Sequence, residues 1–135
     1  MRALAVVVLV GCAGNGDESA ERCGNKTCQP GELCTRTDEC VAASEVRAIH
    51  VSWTLGGQPG NATTCTGKPD LSALIFSSLD RGHLMYSPVP CAAGMFSVDR
   101  LAIWFDLVQL GALNDAGRQG GKLDSAGNLT LDLPW

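Results

Sequence analysis

Residues 45–55 read EVRAIHVSWTL, and the stretch alternates without a break. Ile49, Val51, Trp53 and Leu55 fall on one side; Val46, Ala48, His50, Ser52 and Thr54 fall on the other. A period of two sends successive side chains to opposite faces of a pleated strand, so the stretch predicts a half-buried β-strand with its apolar face on a core. The segment GGQPGN at 56–61 ends it as a loop.

Outward from this strand the same grammar repeats. LSALIFSSL (71–79) predicts a second strand, closed by the turn LDRGH, and HLMYSPV (83–89) a third. GMFSVDRL and AIWFDLVQLGAL follow, NDAG (114–117) makes a turn, GGKLD (120–124) forms a short strand, and SAGN makes another turn. NLTLDLPW closes the chain, with Leu129, Leu131, Leu133 and Trp135 on one face. A helix over 101–113 is the rival reading, since no glycine precedes Gly111 in that run. Dense aromatic and β-branched residues and the turn that follows favour a strand, with room for a bulge where the faces are ambiguous. About seven short strands at this spacing predict an all-β, antiparallel sandwich over 45–135.

The bulk numbers agree. A chain of 135 residues accommodates one domain with accessories, and 16 glycines suit many turns. The net charge is −4 and no basic block or stripe exists, which argues against nucleic-acid binding.

Seven cysteines in so short a chain point to an oxidising compartment. CGNKTCQPGELCTRTDEC holds Cys23, Cys28, Cys34 and Cys40. Only Leu33 there offers much apolar burial, so residues 23–43 need cross-links to fold. Three pairings are open; the interleaved one, Cys23–Cys34 with Cys28–Cys40, is the most compact. Zinc sites favour close pairs such as C-x₂-C, which are missing here, and no metal is expected. Cys65 and Cys91 are left as a third pair, closing a loop of about 26 residues that the chain-entropy account values at roughly 3–4 kcal/mol.

The odd cysteine is Cys12. It follows Met1–Arg2 and the apolar run 3–10, which is too short to cross a bilayer and has the shape of an export signal. The residues LVGC (9–12) resemble the lipobox of bacterial lipoproteins. That resemblance implies a cleaved signal peptide over 1–11, a diacylglyceryl group on the Cys12 thiol, and usually a further acyl chain on its amine. Several chains anchor far better than one, at about 0.8 kcal/mol per buried CH₂. Residues 12–22 then read as an acylated cysteine and polar tether. Ala at position 13, where retained inner-membrane lipoproteins carry Asp, points to the outer membrane of the cell envelope.

The cysteine-dense segment is similar to small disulfide knots near the N-termini of myxobacterial-type surface lipoproteins. VSWTLGG, two spaced cysteines and ALNDAG resemble, in that order, Ig-like or carboxypeptidase-regulatory-like β-sandwich domains of the same proteins. Trp53 precedes both cysteines, unlike antibody-type domains. The resemblance implies binding or spacing rather than catalysis.

No nucleophile-elbow, zincin or P-loop pattern is present, so no enzyme and no cofactor are expected. His50 is placed on the solvent face and His83 in a turn, without partners nearby in sequence. Trp53 and Trp135 are expected in the core. Trp104 has neighbours that leave it free, and it is the candidate ligand-facing residue of an alternative glycan- or peptidoglycan-binding module. The expected partners are membrane lipid, through Cys12, and an envelope protein or glycan. A small secreted enzyme or inhibitor is the further alternative.

Overall fold

A computed structural model describes residues 20–114 and 117–135. Cys12, the signal peptide and most of the tether lie outside the described residues, as do two residues of the NDAG turn. Four short strands come first: β1 (Arg22–Cys23), β2 (Lys26–Thr27), β3 (Glu32–Cys34) and β4 (Cys40–Ala42). They form two antiparallel hairpins, β1–β2 and β3–β4. The bonds Cys23–Cys34 and Cys28–Cys40 interleave across the hairpins. Glu21 and Arg22, read from sequence as the end of the tether, are built into this knot. The Glu21 carbonyl accepts from the Cys28 N–H at 2.8 Å, and its carboxylate accepts from the Cys34 N–H at 3.0 Å.

A single 3₁₀ turn, Ala43–Glu45, leads into β5 (Val46–Leu55). Then follow β6 (Gln58–Pro59), β7 (Leu71–Ser77), β8 (His83–Val89), β9 (Met95–Ala102), β10 (Phe105–Ala112), β11 (Gln119–Lys122) and β12 (Asn128–Leu133). The fold is all-β. One sheet has β5 at its centre, flanked by β12 on one side and by β9 and the short β6 on the other. The second runs β11–β10–β7–β8 and is antiparallel throughout. The seven strands expected from the sequence are all present, and β6 is an addition. Gly56 and Gly57 both take positive φ, as the type I′ form of a two-residue hairpin turn requires.

Two features differ from the sequence expectation. β12 runs parallel to β5, pairing Leu129 with Val51 and Leu131 with Trp53. Alternation predicts which face a residue takes but not strand direction. The run 101–113 is not one element: Leu101 and Ala102 finish β9, Ile103 and Trp104 turn, and β10 starts at Phe105 in the other sheet. A register shift follows between Phe105 and Leu107, which accounts for the ambiguous faces.

The core lies between the sheets. Ile49, Val51, Val98 and Leu101 from one pack with Ile75, Phe105 and Val108 from the other. Trp53, Leu55, Leu131 and Leu133 pack with Leu71, Ala73 and Leu110. The Cys65–Cys91 bond borders the second cluster. Val41 of the knot enters the first cluster, so knot and sandwich share burial.

Candidate functional site

A groove of about 370 Å³ runs along the side of the sandwich where β8 and β9 are the outermost strands of their sheets. Among the described residues β8 pairs only with β7, and β9 only with β5. Each strand therefore keeps one edge of backbone donors and acceptors outside a ladder. Tyr86, Pro88, Val89 and Pro90 line one wall, and Phe96, Ser97 and Val98 the other. The chain makes this wall apolar by putting two prolines at the end of β8, where the missing N–H groups cost no ladder bond. Phe96 also reaches the core, its ring 6.4 Å from that of Trp53.

The knot closes one end of the groove. Arg36 donates its backbone N–H to the Arg100 carbonyl at 3.0 Å, continuing the edge of β9. Its guanidinium donates through Nε to Asp99 Oδ1 at 2.9 Å and pairs with the same carboxylate through Nη2. The hydrogen bond from Arg36 holds the Asp99 carboxyl below its ordinary value. Partial burial raises the Tyr86 phenol, and the Arg36 charge opposes that rise. The site thus offers an apolar floor, a strand edge and one ion pair at its end. Ser97, on the β9 wall, carries a hydroxyl within hydrogen-bond distance of His50 Nδ1.

Cys12 lies outside the described residues; the histidines and tryptophans singled out in the sequence each have a place. His50 is exposed on β5, and its Nδ1 lies 2.7 Å from Ser97 Oγ on the neighbouring strand, a partner 47 positions away that sequence proximity cannot reveal. His83 opens β8 and is exposed. Trp53 is buried, and Trp135 packs against the second cluster. Trp104 is half-buried in the β9–β10 turn, packs against the first cluster, and carries the Arg81 guanidinium 4.7 Å from its ring centroid. A stacking platform for sugar needs an open ring face, and Arg81 occupies one here. The Trp104 Nε1 is buried without a hydrogen-bond partner.

The groove itself escaped the sequence reading. The two prolines and Tyr86 were visible, but which strands end up as neighbouring edges is a property of the topology. Sulfur atoms of Cys23, Cys28 and Cys40 lie within 4.8 Å of one another, yet all are spent in disulfides and offer no thiolate to a metal. Among the described residues no helix is long and apolar enough to cross a membrane. Comparison with models of protein families, with curated proteins and with solved structures finds no match to this chain.

Proposed function

We propose that the chain is a lipid-anchored protein of the cell envelope whose folded part is a non-enzymatic binding module. The observation that carries the anchor is the cysteine pairing. The six cysteines from Cys23 to Cys91 bond among themselves in three disulfides, which leaves the seventh, Cys12 of LVGC, with no cysteine to pair in its own chain. An acylated Cys12 accounts for that odd residue and for the short apolar run before it.

The groove supports the binding half of the reading. Its free strand edges and apolar floor suit an extended segment of an envelope protein, added as a strand beside β9 with side chains on Phe96 and Tyr86. The intact mass of the protein extracted from membranes tests the anchor. The expected mass is that of a chain starting at Cys12 with two or three acyl chains, and alkylation before reduction adds nothing. A chain without lipid, or one that takes up the alkylating agent, overturns it. A photo-reactive phenylalanine analogue at Phe96 tests the groove. Cross-linked adducts are expected there and not from the same probe at Thr130, which is exposed on β12; equal labelling at both positions counts against the groove.

A further inference from the structure

One end of the sandwich carries an apolar tip. Leu79, in the β7–β8 turn, is 64% exposed, and Ile103, in the β9–β10 turn, is 44% exposed. Both line a shallow cavity of about 480 Å³ together with Trp104, Arg81, Ser78 and the carboxylates Glu45 and Asp106. Exposed leucine and isoleucine are ordinary when scattered; gathered beside a tryptophan on two adjacent turns they form a patch. Aliphatic side chains projecting past a tryptophan and an arginine are the chemistry of a membrane interface, where indole sits at headgroup level and guanidinium binds phosphate.

The route of the chain points this tip in a definite direction. The Ile103 N–H donates to the Glu45 carbonyl at 2.9 Å, where the chain passes from the knot into β5. Glu21, nine positions after Cys12, forms an ion pair with Arg100. Arg100 stands three residues before Ile103, at most about 10 Å along the chain. Nine residues extend at most about 30 Å. A bilayer holding Cys12 is therefore within one small-domain diameter of the point where the chain enters the fold, and that point lies at the Leu79–Ile103 end.

We infer that this end of the sandwich rests on the membrane in which Cys12 is anchored. Leu79 and Ile103 enter the acyl boundary, Trp104 lies at headgroup level, and Arg81 meets lipid phosphate. The inference depends on the lipid-anchor reading of Cys12. It orients the molecule, with the membrane at one end and the groove along the side.

The test uses the full chain with its native anchor, reconstituted in vesicles of phosphatidylethanolamine and phosphatidylglycerol with brominated acyl chains. Tryptophan emission is expected to be quenched relative to unbrominated vesicles, with the quenched fraction falling to under half in Trp104→Phe. Leu79→Asp combined with Ile103→Asp, both at exposed positions, is expected to reduce the quenching of the native tryptophans to the same extent, and it stands in for Trp104→Phe if that variant fails to fold. Intact mass is recorded on the same sample. An acylated protein whose quenching is absent, or unchanged by both variants, overturns the tip alone. A protein without acyl chains overturns the anchor reading and the tip with it.

Discussion

Trp53 shows how a residue visible in the sequence depends on others that are not. Its place on the apolar face of 45–55 marks it for the core. In the fold its indole N–H donates to the Cys91 carbonyl at 3.0 Å inside the protein. The slot around it is walled by glycine: a Cβ at Gly60 would stand 2.6 Å from Trp53 Nε1, and one at Gly94 2.4 Å from the Gly60 carbonyl oxygen. Gly94 also takes φ 70°, which suits a residue without a Cβ. Trp53→Phe removes the donor and leaves a small void, while the Gly94 N–H still satisfies the Cys91 carbonyl at 3.2 Å. The expected loss is about 2 kcal/mol, read as a lower urea midpoint at unchanged slope. An unchanged midpoint would show that the indole bond and its packing contribute nothing.

At the scale of elements, the third disulfide does what strand pairing does not. Residues 60–70 form turns and loop between β6 and β7, anchored by the Asn61 side chain to the N–H groups of Thr63 and Thr64. The Cys65–Cys91 bond ties this segment to the connection between β8 and β9. Its sequence separation is 26. Replacing both cysteines by alanine is expected to cost about 3–4 kcal/mol, with both sheets retained by far-ultraviolet circular dichroism. A variant as stable as the parent would mean that the loop is already ordered in the unfolded chain. The elements themselves were largely readable. Residues 46–55 and 128–133 alternate, and β7 is recognisable as an apolar run bounded by turn formers. The break at Ile103–Trp104 was not readable, because a corner between two sheets needs no glycine or proline when both flanking strands are held by partners.

The whole molecule responds to acid through its surface carboxylates. Asp124 is held below its ordinary value by the Asn128 and Ala126 N–H groups, Asp132 by the Thr54 hydroxyl and the Gly57 N–H. Burial would raise Asp106, but the N–H and hydroxyl of Ser78 and the Lys122 ammonium bring it below its ordinary value. A folded-state pKa below the unfolded one contributes stability that is complete above the ordinary carboxylate range and is lost as pH falls through the folded value. The urea midpoint is therefore expected to stay level near neutrality and to drop below about pH 4, where unfolded carboxylates take up protons. Asp124→Asn should flatten part of that drop, because the Asn side chain does not titrate. A midpoint that rises on acidification would contradict the sign. Two of the three carboxylates bridge distant parts of the chain: Asp106 joins β10 to the β7–β8 turn, and Asp132 joins β12 to the β5–β6 turn, whereas Asp124 closes its own turn.

By itself the sequence determined the fold class, most of the strands and, where these alternate cleanly, the residues that face inward. These follow from local periodicity and turn chemistry, which act over two to four residues. It also set the odd cysteine count, from which the anchor is proposed. Only the tertiary structure decided that β12 runs parallel to β5, that β8 and β9 become facing edges, that Arg36 closes the groove, and that Trp104 lies beneath Arg81. Each of these joins residues far apart in the chain. Their proximity is set by how two twisted sheets bury a common core, and no local pattern carries that information.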